Sequence, residues 1–239
     1  MTNILTVDKI HVYIEKSHIL QGVSLNVSEG EVVGLIGRNG AGKTTTLKSI
    51  MGLMKVAEGK IVFKNSEITN KPSHIVARMG IGYAPEDRQI FSELTVEENI
   101  KLPLWVTGRN IKENEVLEDI YAVFPELKKY KTRKGTLISG GEQKMLSIAR
   151  ALATHPSILI LDEPFEGLAP IVALRLLENI KKIRERFDIP ILVTDSKAYY
   201  ISKIADKVYV IERGSIIFEG KPEEIEKRED IKRVLHGLQ

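Results

Sequence analysis

The 239-residue sequence contains no cysteine. That excludes disulfides, zinc–thiolate sites and thiol nucleophiles, and it suits a reducing compartment. No apolar run approaches the ~18 residues needed to span a bilayer. The start, MTNILTVDKI, lacks the basic opening and long apolar stretch of a secretion signal. Any attachment to a membrane is therefore expected through a partner. Charge of one sign is scarce too. Lys and Arg number 35 against 32 Asp and Glu, leaving +3, too little to argue for a nucleic-acid partner. No repeat, low-complexity tract or Gly/Ser linker breaks the text. What remains is a globular composition, 43% hydrophobic and 28% charged, long enough to bury a substantial core.

Short apolar segments alternate with longer amphipathic ones, the pattern of an α/β fold. Strands are predicted over 4–7, 23–27, 31–36, 60–63, 81–83, 158–161, 191–193, 208–211 and 216–219. Helices are predicted over 43–51, 113–124, 142–153, 171–187 and 225–235. Between residues 88 and 153 the strands cease and charged helical text takes over. The pattern predicts one domain over 1–239, with a core from 1–87 and 154–239 and a helical insertion at 88–153.

VVGLIGRNGAGKTTT carries the first chemistry. An apolar strand runs into Gly37, Arg38, Asn39, Gly40, Ala41 and Gly42, then a helix opens with Lys43, Thr44 and Thr45. This is G-x-x-x-x-G-K-[ST] in its strand–loop–helix setting. Glycines let successive N–H groups turn inward to cradle phosphate oxygens, and the helix start adds its own free N–H groups and dipole. Lys43 would reach the β- and γ-phosphates, and the Thr44 hydroxyl would bind Mg²⁺. A glycine-rich turn with a chance Lys-Thr is the plainer alternative.

SILILDEP supplies the second half. Four apolar residues make a strand buried on both faces, and Asp162 and Glu163 follow at its carboxyl end. Two carboxylates there are costly unless a cation or proton shares the site. Asp162 would lie in the inner or outer shell of the Mg²⁺ held by Thr44. Glu163 would polarise the attacking water. The plainer alternative is a solvated acidic turn before Pro164.

LISGGEQKMLSIARAL opens a helix. Ser139 and Glu142 form a capping box. Gly140 and Gly141 leave N–H groups exposed at the helix start, which suits an anion. A cap does not need two glycines; close approach to something does.

GRNGAGKTT, ISGGEQKML and ILILDEP, in this order, resemble the nucleotide-binding subunits of ABC transporters. The family's second motif usually begins Leu-Ser-Gly-Gly; here it begins Ile138-Ser139-Gly140-Gly141. The resemblance covers residues 4–220. It implies a P-loop NTPase core with a mainly parallel sheet, an antiparallel β subdomain and an inserted helical subdomain. It also implies ATP and Mg²⁺, membrane-spanning permease subunits, and a place on the cytoplasmic face of the membrane. Two ATPase subunits would meet head to tail, each ATP lying between the phosphate loop of one and the Ser-Gly-Gly start of the other. GYAPEDRQIFSELTVEENI and DEPFEGLAPIV resemble one ATPase subunit of the branched-chain amino acid importers. Such importers use two different ATPase subunits and, indirectly, a solute-binding protein. Importers for urea or other small amides are near relatives.

Three positions depart from the family. Glu86 stands where most members carry Gln; a carboxylate still ligates Mg²⁺, directly or through water. The switch histidine precedes an Ala-Asp pair that opens the next strand; that pair here is Ala205-Asp206, and Ser196 holds the switch position. Serine donates one hydrogen bond but has no cationic form. Ile14 stands where an aromatic ring usually stacks on adenine, leaving its neighbour Tyr13 as the candidate ring. Arg88 and Phe91 fall where the family receives a short helix from the membrane subunits, although Thr95 and Glu98 also read as an ordinary capping box. The five histidines, His11, His18, His74, His155 and His236, show no ligand spacing and read as structural or surface residues. The leading expectation is an ATP-hydrolysing transport subunit. An ATP-holding module that lends its Ser139 helix start to a partner is the second. A non-transport relative acting on DNA or ribosomes is the third, disfavoured by the balanced charge, the short insertion and the lack of a tandem domain.

Overall fold

The computed structural model describes residues 2–107 and 112–237, with the Thr107 and His236 side chains outside the described set. The chain opens with a hairpin of β1 (Asn3–Ile14) and β2 (Ser17–Ser28), followed by β3 (Val32–Ile36) and α1 (Lys43–Ile50). Next come β4 (Glu58–Phe63), β5 (Ser66–Glu67), α2 (Ser73–Arg78) and β6 (Ile81–Ala84). The helical stretch holds α3 (Val96–Thr107), α4 (Glu113–Val123), α5 (Pro125–Lys129) and α6 (Gly140–Leu152). Then β7 (Ile158–Asp162), α7 (Pro170–Phe187), β8 (Ile191–Asp195) and α8 (Ala198–Ile201) alternate. β9 (Lys207–Glu212), β10 (Ser215–Gly220), α9 (Pro222–Ile225) and α10 (Glu229–His236) close the chain.

Six strands form the main sheet in the order β10-β9-β3-β8-β7-β6. All neighbours are parallel except the edge pair β9–β10. The other four form an antiparallel sheet, β2-β1-β4-β5. The apolar runs of the central strands explain why both faces are covered. Leu159, Leu161, Val193 and Val208 point into one core with α6 and α7. Ile158, Ile160, Leu192 and Ile211 point into the other, shared with α1 and the antiparallel sheet. One sheet thus separates two hydrophobic cores, each buried aliphatic side chain contributing about 1.5–3 kcal/mol.

Parallel pairing fixes where chemistry can occur. β3, β8 and β7 lie side by side, so their carboxyl ends share one edge. Ile36 faces Asp195, and Asp162 faces Thr194. The phosphate loop, the carboxylate pair and the Asp195–Ser196 stretch therefore leave the sheet together.

The structure adds short elements that the sequence pattern does not mark, β5, α2, α5 and α8 among them, and differs from it elsewhere. β1 and β2 run to 12 residues each, well beyond the predicted segments. Their pairing shifts register between Val7 and Ile10, where Lys9 adopts φ 46°. A bulge offsets inside–outside alternation, so the buried residues Val7 and Ile10 stand three apart and the period breaks in mid-strand. The predicted helix over 225–235 is two helices. Ile225 and Ile231 are both buried, but at six residues apart a continuous helix would point them to different faces; the break after α9 brings them back into phase. The capped helix at Thr95 is α3. The Thr95 backbone N–H donates to Glu98 Oε2 at 2.8 Å, and the Glu98 N–H to Thr95 Oγ1 at 3.2 Å. Among the described residues, no helix is long and apolar enough to cross a membrane.

Candidate functional site

The phosphate loop joins β3 to α1. A Cβ on Gly37 would lie 2.4 Å from the Ile211 carbonyl oxygen, so β9 can pass closely only because none is present. Gly42 holds φ 112°, which L side chains rarely adopt. Lys43, at the start of α1, is buried. Its Nζ donates to the Gly37 carbonyl at 2.7 Å and to that of Arg38 at 3.0 Å. It also pairs with Glu163 Oε1 at 3.1 Å.

Glu163 leaves β7 with φ 44°, a left-handed conformation that costs on the order of 1–3 kcal/mol in a non-glycine residue. Two contacts hold it there. Its N–H donates to Thr194 Oγ1 at 3.1 Å, and its carboxylate meets Lys43. Burial pushes its carboxyl above the usual carboxylate range, while the Lys43 ammonium pulls the other way. A raised carboxyl beside a reaction centre is suited to accepting a proton.

Asp162 is buried and collects three hydroxyl protons. Thr44 Oγ1 and Thr194 Oγ1 each donate to its Oδ1 at 3.0 Å, and the Tyr83 hydroxyl to its Oδ2 at 3.0 Å. Burial and Asp162 itself push the Tyr83 phenol up, keeping it a donor. The Thr44–Asp162 pair fits Mg²⁺, which takes oxygen ligands and is held by one or two protein groups plus substrate phosphates. The described residues contain no cluster of three metal-ligating side chains, so a bound Mg²⁺ would draw its remaining ligands from phosphate and water. Glu86 is exposed and lines the same side cleft as Thr44, Tyr83 and Asp162.

The loop around Glu86 is held by α6. Lys144, buried on that helix, donates to the Glu86 carbonyl at 2.8 Å. Arg150 donates to the Gln89 and Arg88 carbonyls at 2.6 and 3.1 Å. Arg88 and Gln89 both have positive φ, 63° and 45°, and these bonds sustain the strain. Burial, then the nearby Arg88 guanidinium, push the Lys144 ammonium below its ordinary value.

Ser139 caps α6. The Glu142 N–H donates to Ser139 Oγ at 3.3 Å, and the Ser139 N–H to Glu142 Oε2 at 2.8 Å. This helix start is exposed. The two glycines have packing reasons. A Cβ on Gly141 would lie 2.5 Å from Val172 Cγ1 of α7, and one on Gly140 would lie 3.2 Å from Arg88 Nη1. The close neighbours at Gly140 and Gly141 are thus protein side chains.

The structure brings Lys43, Thr44, Asp162 and Glu163 together and sets Glu86 beside them. Ser196 follows Asp195 at the same strand edge, half-buried, but is outside the lining of the cleft that holds Lys43 and Glu163. Asp195 is fully buried and accepts the N–H groups of Lys197 and Phe165 at 2.8 and 3.2 Å. Burial pushes its carboxyl up to about 6. Tyr13 turns away from the cleft and stacks on His18, with ring centroids 4.3 Å apart; His18 in turn bonds His11 at 3.0 Å. Ile14 and Ile19 line the cleft instead. The reason is strand alternation: adjacent residues of β1 face opposite sides. Tyr83, Thr194, Lys144 and Arg150 are site residues that no sequence motif marks.

The family model described as ABC transporter matches residues 20–166. The chain belongs to this family. It is 41% identical over 217 residues to the high-affinity branched-chain amino acid transport ATP-binding protein BraG of Pseudomonas aeruginosa, covering 89% of this chain and 91% of that protein. It is 36% identical over 243 residues to the lipopolysaccharide export system ATP-binding protein LptB of Haemophilus influenzae, covering 99% and 98%. The ADP conformation of MJ1267, an ATP-binding cassette of an ABC transporter, superposes with a TM-score of 0.84 at 28% identity, covering 99% of this chain and 100% of that one. A dimeric cassette, MJ0796 bound to ADP and Pi, superposes with a TM-score of 0.80 at 26% identity, covering 91% and 98%. The fold is that of an ABC ATPase cassette, and the chain is an ATP hydrolase of that class, working with ATP and Mg²⁺.

Proposed function

We propose that this chain powers a branched-chain amino acid importer, with Glu163 as the general base of ATP hydrolysis. The observation that carries the chemistry is the convergence of Lys43, Thr44, Asp162 and Glu163 on one strand edge. In this reading the γ-phosphate of ATP draws Lys43 away from Glu163. The freed carboxylate then takes a proton from the attacking water as its oxygen bonds to the γ-phosphorus and the bond to ADP breaks. Mg²⁺, when bound, would supply charge neutralisation to the phosphates. Thr44 and Asp162 would hold it, with Glu86 lining the same cleft. Gly37 to Gly42 and Thr45 cradle the phosphates. Ser196, in the switch position, helps orient the γ-phosphate through a water.

Ser139, Gly140, Gly141 and Glu142 serve the nucleotide of a facing, related ATPase subunit. Residues 88–153 act as the helical unit that meets the permease, with residues 1–87 and 154–239 as the nucleotide-binding core. The permease holds the chain at the cytoplasmic face of the membrane, and a solute-binding protein delivers cargo on the other side. The identity to BraG and the PEDRQIF and GLAPI text favour import of leucine, isoleucine and valine. The near full-length match to LptB favours the second reading, lipopolysaccharide export.

Two measurements test this. In the complex purified from its host membranes, Glu163→Gln should lower ATP turnover by about 10²–10⁴-fold while MgATP still binds; unchanged turnover would remove Glu163 as the base. In the host lacking this chain, uptake of labelled leucine should collapse. Normal uptake with lipopolysaccharide retained at the inner membrane would favour the export reading.

A further inference from the structure

We propose that Tyr200 is a positioning residue for ATP hydrolysis: its ring holds Phe165, and through Phe165 it sets the Glu163 carboxylate. The inference rests on the reading of Glu163 as the general base. Glu163 opens a tight turn. The Glu166 N–H donates to the Glu163 carbonyl at 3.2 Å, and Pro164 fills the second place of that turn, where its fixed φ is favoured. With Pro164 locked, few torsions between Glu163 and Phe165 can absorb a shift, so displacing Phe165 displaces Glu163. Glu163 also needs holding. Its left-handed φ of 44° persists only while its surroundings over-determine it.

Phe165 is held from one short segment, residues 194–200. Its N–H donates to Asp195 Oδ2 at 3.2 Å. Its ring is fully buried and stacks on Tyr200 of α8, with centroids 4.8 Å apart and planes 24° apart. The Glu163 N–H is fastened to Thr194 in the same segment. Asp195 links the two halves of this brace. Its Oδ1 accepts the Lys197 N–H at 2.8 Å, closing an Asx-turn, and its other oxygen reaches Phe165, 30 residues away in the chain. The turn leads the chain into α8, and α8 lays Tyr200 on Phe165. Ser196 lies inside the segment, so the stretch that carries the switch position also braces the base. Tyr200 lies outside the lining of both clefts beside Thr44, so its influence passes through Phe165.

The test is steady-state ATP turnover of the complex purified from its host membranes. Tyr200→Leu removes the stacked ring. It should lower kcat by about tenfold to a hundredfold, the scale expected when a reacting group is misplaced by about 1 Å, with KM within about twofold. Tyr200→Phe keeps the ring and should return kcat to within about twofold of the unmodified complex. Phe165→Leu removes the other ring and should lower kcat in the same way, and the double variant should lose little more than either single one. In a Glu163→Gln background, Tyr200→Leu should cost no more than about a further twofold, because its effect passes through Glu163. An unchanged kcat in Tyr200→Leu would overturn the proposal, as would a rise in KM at constant kcat or a full further loss in the Glu163→Gln background. If Tyr200→Leu does not fold, Phe165→Leu and the Tyr200→Phe comparison decide by the same criteria. If Glu163→Gln leaves turnover unchanged, the reading of Glu163 as the base falls and the proposal falls with it. If Glu163→Gln abolishes turnover while Tyr200→Leu does not lower it, the base stands and only the proposal falls.

Discussion

Lys43 and Ser139 each stand at the start of a helix suited to phosphate, yet their surroundings are opposite. Lys43 is buried, with a side chain 2% exposed, and is held by two loop carbonyls and Glu163. Ser139 is exposed, and its partner is Glu142 of its own helix. The first surface is a cleft with a buried cation and buried carboxylates, able to hold a ligand within one chain. The second is an open helix end with its cap already satisfied, suited to a ligand carried on another surface. On the proposed function, the chain would contribute one full phosphate cleft and one outward-facing half-site.

The largest departure from this contrast should come from Lys43→Ala. A charge-assisted hydrogen bond is worth about 1.5–3 kcal/mol, so MgATP affinity of the isolated chain should fall about tenfold to a hundredfold in equilibrium dialysis. A fall under about threefold would mean that phosphate is held elsewhere.

Lys144→Met should have the next largest effect, because it leaves the Glu86 carbonyl without its donor and loosens a loop with two left-handed residues. The cost is about 1–3 kcal/mol, or roughly 2–10 °C in Tm for a chain of this size. Amide exchange over residues 86–89 should accelerate, and Lys144→Gln, which keeps a donor, should recover part of the loss. An unchanged Tm with unchanged exchange would show that Arg150 alone holds the loop.

How much of this was legible in the sequence depends on where the partners lie. Lys43 and Thr44 follow from a contiguous motif, and Asp162 and Glu163 from an apolar run that ends in acid. Parallel pairing brings them together, and the alternation of strands and helices implies that pairing. Tyr83 and Thr194 were not legible. Each reaches Asp162 from a neighbouring strand, and neither belongs to a local pattern. No local pattern marks Lys144 either; the Glu86 carbonyl it bonds lies 58 residues away in the chain. The choice between Tyr13 and Ile14 turned on strand facing near a bulged hairpin, where alternation is least readable. The glycines after Ser139 read as room for a ligand, and the structure shows Val172 and Arg88 as their near neighbours.

The smallest expected effect is at Asp195, and its sign follows from pH. Burial raises this carboxyl from 3.8 to about 6, so the folded chain binds the proton more tightly than the unfolded one. Its stabilising contribution is present below about pH 4 and is lost as pH rises through about 6. Asp195→Asn has no such contribution to lose. Its Tm relative to the unmodified chain should therefore climb by a few degrees between about pH 4.5 and 6.5, then level off. A constant offset over that range would contradict the raised carboxyl.

The most direct test of the two-surface account is the effect of Ser139→Ala measured in two settings. The substitution removes a cap worth about 1 kcal/mol, so the fold should survive. The account predicts MgATP affinity of the isolated chain within about twofold of the unmodified protein, with turnover of the assembled complex reduced at least about tenfold. A matching loss of affinity in the isolated chain would contradict it, because Ser139 would then serve the chain's own cleft.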